Sequence, residues 1–370
     1  MNVRETISWL KVKIQEELFP ALEESFTGVF TKKQQQLVGI LETIEIERHV
    51  NSPIYQWMGR KPKDRQAIAR AFVAKAVYGF TATRDLIEAL HSMVNLRKIC
   101  GYMRQQDIPS ESTFSRSFEE FAKNQLGDKV HKAMVGEYLP EQIIGHISRD
   151  ATAIEGNEKP IKKDKAVAVE VESKKRGRPK KGEIREDKEE TTRLMRQVGQ
   201  TPEEAFKDIP TVCDVGCKTN AKGYKETWIG YKLHVDTNDC GLPITAVLTS
   251  ASLHDSQVAI PMMKITTGRV NYLYDLMDAA YDAKPIYDVS KALGHVPIID
   301  RNPRRGNALP MTPAEAMRYN ERTAAERCNS RLKCEFGGET VMVRGHKKVK
   351  LHLMFGIMAL FADQLLKLLT

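Results

Sequence analysis

Apolar positions fall into two regimes along the chain, and the change between them comes near residue 143. Up to about residue 140 they recur at helical spacing, through Ile68, Phe72, Val73, Ala76 and Val77 and again through Leu86, Ile87, Leu90 and Met93. Such i, i+3, i+4 recurrence predicts amphipathic helices. Pro109 and Ser110 mark a further helix start, with Ser112 or Thr113 as alternative caps. Short helices, a turn and this polar-faced helix form a helix-turn-helix-like pattern in which Ser115 and Arg116 face DNA. A helical bundle packed on the rest of the chain reads equally well from the same pattern.

Beyond residue 143 the apolar runs shorten and take on strand character. His146 to Glu155, Trp228 to Asp236 and Leu242 to Ser250 read as strands, and Asn238 to Gly241 supply turn chemistry between the last two. Asp255 is placed to cap a helix running to about Thr267. Asn271 to Asp278 reads as a fourth strand, Asp282 to Leu293 as a helix and Val296 to Asp300 as a fifth strand. Three consecutive strands followed by alternating helices and strands describe an α/β mixed sheet with flanking helices. The expected organisation is therefore an all-α N-terminal domain, 1–142, and an α/β domain, 143–370. The apolar stretch Leu351 to Leu369 contains His352, Asp363, Gln364 and Lys367, which suit a core helix better than a membrane span.

Charge changes this picture in one place. The stretch 156–200 is dense in Lys, Glu, Arg and Asp, too poor in apolar residues to order itself, and reads as a flexible basic insertion. Its centre, Lys174 to Lys181, holds six positive charges in eight residues around Arg176-Gly177-Arg178-Pro179. A narrow A·T minor groove attracts inserted arginines, and glycine lets the backbone sit deep in it. Arg176 and Arg178 thus make an AT-hook-like element, with a plain basic linker as the alternative. The formal net charge of +9 agrees with an anionic partner such as nucleic acid. The six cysteines are irregularly spaced, which argues for a reduced, cytoplasmic protein. Cys213, Cys217 and either Cys240 or His234 offer a zinc reading without the usual pair spacing. Nothing at Met1 to Lys11 resembles a signal peptide.

The candidate chemistry lies on the helix after the fifth strand. Thr312-Pro313-Ala314-Glu315 is a capping box with proline at the first helical position, and the helix should run to about Lys333. Tyr319, Arg322, Glu326 and Lys333 then fall within an arc of about 60°. One face presents a phenol, a guanidinium, a carboxylate and an ammonium, as a site that holds metal and grips phosphates requires; a solvated charged face is the alternative. Two more carboxylates sit on strands. Asp150 lies in Ser148-Arg149-Asp150-Ala151-Thr152, and Asp278 ends the fourth strand, in Leu276-Met277-Asp278-Ala279-Ala280-Tyr281-Asp282. A carboxylate buried on a strand is costly unless paired or metal-bound. Asp150 has a turn as its alternative reading. Asp278 has a helix cap, for which Asp282 is better placed. Asp275 and Asp300 also lie near strand ends.

With Tyr-x2-Arg-x3-Glu-x6-Lys met at Tyr319, Arg322, Glu326 and Lys333, the chain resembles the transposases of bacterial insertion sequences that carry a three-carboxylate (DDE) core. Gly230-Tyr231-Lys232-Leu233-His234-Val235, His254-Asp255-Ser256 and Asp278-x-Ala-Tyr-Asp support the resemblance. It covers 143–369 apart from the insertion, and less specifically 84–124. It implies an RNase H-like fold in which Asp150, Asp278 and Glu326 are catalytic and bind two Mg²⁺ (or Mn²⁺) ions. It also implies cleavage at transposon ends, transfer of the freed 3′-hydroxyl into target DNA, and a homodimer that pairs two ends of double-stranded DNA. Tyr319, Arg322 and Lys333 would clamp phosphates; Arg344, His346, Lys347 and Lys348 either extend the clamp or form a solvated loop, two readings that fit equally well. Two rival readings are a non-catalytic DNA-binding protein derived from a transposase and a structure-specific nuclease on the same fold.

Overall fold

The computed structural model describes residues 29–51, 62–140, 143–161, 192–219, 223–302 and 310–369. The AT-hook-like Arg176 and Arg178 lie outside the described residues. The N-terminal part holds α1 (Lys32–Ile44), α2 (Arg65–Tyr78), α3 (Thr83–Ser92), α4 (Val94–Ile99), α5 (Glu111–Lys123) and α6 (Leu126–Tyr138). Local chemistry sets their ends. Thr31 and Gln34 form a capping box at the start of α1. Gly79, at φ 69°, closes α2 in the left-handed conformation that glycine adopts freely.

The second part runs β1 (Ile143–Glu155), α7 (Arg193–Gly199), α8 (Pro202–Lys207), β2 (Asp214–Thr219), β3 (Lys225–Asn238), β4 (Pro243–Ser250), α9 (Ser256–Thr267), β5 (Asn271–Met277), α10 (Lys284–Ala292), β6 (Val296–Ile299), α11 (Pro313–Tyr319), α12 (Thr323–Glu335) and α13 (His346–Leu369). β1 lies at the centre, antiparallel to β3 on one side and parallel to β5 on the other. β6 extends the sheet parallel to β5. The far edge of β3 pairs antiparallel with β4 over one stretch and with β2 over the next. Gly230 marks the point where β3 passes between β1 and β2. Its φ is 151°, and an added Cβ would meet the Ile154 carbonyl oxygen at 2.2 Å, so only glycine fits there.

The five expected strands correspond to β1, β3, β4, β5 and β6, and β2 is an addition. Its sequence, Asp-Val-Gly-Cys-Lys-Thr, lacks an apolar run, and the strand is an exposed edge. The expected insertion 156–200 also needs correction at its end. Arg193–Gly199 is a helix, started by Thr192, whose hydroxyl accepts from the Met195 amide. Leu194 packs against the α9–α10 core, and Arg193 and Arg196 both reach Asp208. Those contacts supply the order that the charged sequence alone does not. The expected helix from 312 to 333 is interrupted as well: a 3-10 turn, Asn320–Arg322, separates α11 from α12.

The expected boundary at 142/143 divides the elements by type but not by packing. α13 runs through the N-terminal bundle, against α1, α2, α5 and α6, while also touching β4. Phe355 of α13 lies 5.6 Å from Phe72 and 6.2 Å from Phe118, ring centre to ring centre. One apolar core therefore joins the bundle to the face of the sheet beneath it. α13 is long and apolar enough to cross a membrane, yet 78% of its most apolar stretch is buried inside the protein. The opposite face of the sheet is covered by α9 and α10, with Met263, Met277, Tyr281 and Ile286 at the contact.

Candidate active site

Successive residues on a strand point to opposite faces, and β1 uses this to separate Arg149 from Asp150. Asp150 points toward α12. Its carboxylate accepts from Asn329 Nδ2 at 3.0 Å and lies 4.0 Å from the Arg322 guanidinium. The parallel register pairs Arg149 with Met277, the last residue of β5, so Asp278, just past the strand end, comes next beside Asp150 and acts on its charge. Asp278 accepts from the Ala280 amide at 2.9 Å and thereby caps the short turn Ala279–Tyr281. The capping alternative for Asp278 is thus realised at this turn, and among the described residues its second oxygen takes no hydrogen bond. Asp282, expected as the better cap, instead accepts from the Asn302 amide at 3.0 Å and the Tyr287 hydroxyl at 3.3 Å.

Burial pushes Asp150 up to about 6, with Asp278 adding to the rise and the Ala151 amide, Arg322 and Asn329 opposing it. Asp278 is likewise raised by burial and by the neighbouring charge of Asp255. Two carboxylates side by side cannot both ionise freely unless a cation offsets them.

Arg322 is the cation at this point. The 3-10 turn carrying it packs on β1, with Ser148 Oγ donating to the Glu321 carbonyl at 3.3 Å. Its guanidinium faces Asp150, bonds the Glu326 carboxylate and lies 5.7 Å from the Tyr319 ring centre. It also sits in the field of Asp278. Burial raises the Tyr319 hydroxyl to about 12. Glu326 is exposed and turned to Arg322. Among the described residues no three acidic, His or Cys side chains converge closely enough to hold a metal ion; Glu326 reaches the aspartate pair through Arg322.

Lys333 stands apart. Two turns along α12 it is half-buried, and its electrostatic neighbours are Lys218, Glu339 and Glu155. Lys333 follows Glu326 by seven residues of regular helix, so it stays near the same face but lies about 10 Å further along the axis, and while Tyr319, Arg322 and Glu326 gather, Lys333 sits toward the far end of β1. On α5, Ser115 and Arg116 are exposed, and Phe114, Phe118 and Phe121 fill the bundle core. Of the basic segment after α12, Arg344 donates to the Asn157 carbonyl at 2.8 Å, His346 bonds the Leu248 carbonyl at 2.8 Å, and Lys348 lies 3.5 Å from Glu119.

Several site residues escaped the sequence pattern. Asp255 stands at the cap position of α9 but makes no capping bond; its carboxylate pairs with Lys232 at 2.8 Å, beside the aspartates. Asn329 carries no signal beyond its i+3 spacing from Glu326. Beneath the site, Arg149 is fully buried between Asp236 at 2.7 Å and Asp275 at 3.7 Å. Asp275 also takes the Tyr272 and Ser290 hydroxyls, at 3.0 and 2.5 Å, which separates it from Asp150 as a site carboxylate. The zinc reading finds no cluster: Cys213 is buried beside the Glu158 carbonyl, His234 bonds Thr249 at 3.0 Å, and Cys217 and Cys240 are exposed.

Comparison with known families agrees in both halves of the molecule. Residues 27–120 match the family described as Transposase domain (DUF772). Residues 197–362 match the family described as Transposase DDE domain. The second match includes Asp278, Tyr319, Arg322, Glu326 and Lys333, while Asp150 lies upstream of it. No curated protein and no solved structure gives a match. Helical bundle and mixed sheet, each by its own match, thus resemble the parts of a transposase with a DDE domain.

Proposed function

We propose that the chain is a transposase that cuts DNA at transposon ends and joins the freed ends to target DNA, with Asp150, Asp278 and Glu326 as its catalytic carboxylates. The observation that carries this reading is the placement of Asp150 on β1 beside Asp278, just past the end of the parallel neighbour β5, with Arg322 between them and Glu326. The strand order β4-β3-β1-β5-β6, antiparallel twice and then parallel twice, supports an RNase H-like core. The donors are carboxylate oxygens, which suit hard cations such as Mg²⁺ or Mn²⁺. When bound, two such ions supply an activated water and stabilise the leaving oxygen.

The chain's own residues do the positioning. Asn329 and the Ala280 amide each hold one aspartate oxygen, which fixes the two carboxylates relative to the sheet. Arg322, held against Tyr319, is a planar donor suited to a DNA phosphate beside the carboxylates. Lys333 extends that contact toward the end of β1. A homodimer would bring two such sites to two transposon ends.

The test uses duplex DNA carrying the sequences that flank the gene. The full chain with Mg²⁺ should nick these ends and join them to a second duplex, while Asp278→Ala should bind the ends without cutting. Cutting without joining would instead indicate a structure-specific nuclease. Binding without either reaction, in the unaltered chain, would indicate a DNA-binding derivative.

A further inference from the structure

A cavity of about 490 Å³ lies between the N-terminal helices and the segment after α12. Its size is within the ~300–1,000 Å³ of small-ligand pockets. Phe72 of α2 and Phe118 of α5 contribute apolar lining; Lys75, Arg84, Arg344 and Lys348 bring four cations to it. The lining holds a single carboxylate, Glu111, and that one is paired with Arg84 at 3.0 Å. Ser115 and Thr81 add hydroxyls.

Lys75 shows that this charge is built in. It is only 7% exposed. Its ammonium has three donors, and among the described residues its hydrogen bond goes to the Thr81 carbonyl at 2.9 Å, with no carboxylate in contact. Asp85 acts on this ammonium only through space; burying an ammonium with no carboxylate in contact is costly, and a methionine of the same length would pack against Phe72 without that cost. Burial lowers its pKa to about 8, which leaves it mostly charged at neutral pH. Across the cavity, Arg344 donates from Nε to the Asn157 carbonyl and has no carboxylate partner among the described residues. An apolar floor lowers the local dielectric, so cations set over it attract an anion more strongly than they would in open water.

We infer that this cavity binds a phosphate group of a nucleic-acid strand or nucleotide, gripped by Lys75 from the bundle and by Arg344 from the segment after the catalytic helix. The two stretches expected from sequence to meet DNA, the Ser115 face of α5 and the basic run 344–348, border this same cavity. A phosphate here would tie the bundle to the catalytic half through a shared ligand. Naming a DNA strand as the source rests on the transposase reading; the phosphate site itself does not.

The experiment is done on the full chain in EDTA, so no cleavage enters it. Unaltered protein, Lys75→Met, Arg344→Gln and the surface control Lys129→Gln are titrated with inorganic phosphate, with deoxyadenosine monophosphate and with a fluorescent duplex of arbitrary sequence. Thermal melting is recorded for each. Lys75→Met should keep or raise the melting temperature; Arg344→Gln removes an exposed group and serves if Lys75→Met does not fold. Both cavity variants should bind phosphate-bearing ligands at least tenfold more weakly, with Lys129→Gln unchanged. If the source is DNA, duplex binding falls and its salt dependence flattens by about 0.9 per phosphate lost. If binding of the free nucleotide alone falls, the site stands and its source is a nucleotide. Binding of all three ligands at the unaltered strength in folded cavity variants would overturn the proposal. Because metal and cutting are absent, failed transposition leaves this result untouched, and the reverse holds too.

Discussion

The two faces of strand β1 treat charge in opposite ways. On one face Arg149 is fully buried, and the two aspartates beside it are balanced by its guanidinium and by the hydroxyls of Thr266, Tyr272 and Ser290. On the other, one residue along, Asp150 and Asp278 stand together, Glu326 joins through Arg322, and three carboxylates share one cation. The first arrangement sets two buried aspartates against one buried guanidinium and three hydroxyls, leaving only Arg149 Nε and Asp236 Oδ1 without a hydrogen bond among the described residues, and suits a structural role. The second leaves carboxylates in excess over cations at a place only partly open to solvent, which is costly to the fold and useful for binding cations. Identical residue types thus diverge in role through the number and kind of partners on each face.

The largest expected effect breaks the open face. Replacing Asp150, Asp278 or Glu326 singly by Ala should lower metal-dependent nicking by at least about 10³-fold, a loss of ~4 kcal/mol of transition-state stabilisation, while end-DNA binding persists. Nicking kinetics with gel-shift titration read both. Normal cutting by Asp150→Ala would mean that another first carboxylate serves.

The closed face should fail differently. Arg149→Met leaves two buried aspartates without their cation and should cost about 3–5 kcal/mol of stability, read by denaturant unfolding. The fraction still folded should nick at a near-normal rate. A stable Arg149→Met protein would remove the contrast between the faces.

How much of this contrast the sequence carried depends on the signal each residue needs. The strands β3 and β4 were legible because β-branched and aromatic runs flank turn residues, and the gathering of Tyr319, Arg322 and Glu326 was legible because their spacing suits one helix face. The partners of Arg149 were not, because Asp236 and Asp275 come from strands distant in sequence and only the register brings them together. The break at Asn320–Arg322 was hidden as well: the sequence there has no Gly or Pro, and packing on β1 is what distorts the helix. The helix α8 could have been read, since Thr201-Pro202-Glu203-Glu204 repeats the capping box of Thr312-Pro313-Ala314-Glu315. High charge around it masked that signal.

A smaller effect is expected at Arg322, the shared cation. Arg322→Ala should lower cleavage by ~10²-fold, the scale of a misplaced reacting group, and change stability by only about 1 kcal/mol, because its shortest ion pair is to the exposed Glu326. Arg322→Lys should recover little, since a point charge cannot replace a planar fork. Paired melting and cleavage measurements decide it; a large stability loss with normal cleavage per folded molecule would make Arg322 a structural residue.

The smallest effect concerns stability against pH. Asp150 has a folded pKa of about 6 against an ordinary value of 3.8. Below about pH 4 it is protonated whether folded or not and costs nothing. As pH rises through 6 the folded protein must bury its charge and loses stability. Asp150→Asn should therefore stabilise the metal-free protein at pH 7.5 by about 1–3 kcal/mol, with the gain fading toward pH 4. Melting curves across pH would show it, and a gain that persists at pH 4 would point to packing in place of charge.

The central claim is that the open face of β1 is a divalent-metal site and the closed face is not. Binding of Mn²⁺, followed by electron paramagnetic resonance with a DNA duplex present, tests it most directly. Unaltered protein and folded Arg149→Met should take up Mn²⁺ alike, and Asp278→Asn should lose that uptake. Equal uptake by Asp278→Asn and the unaltered protein would contradict the account.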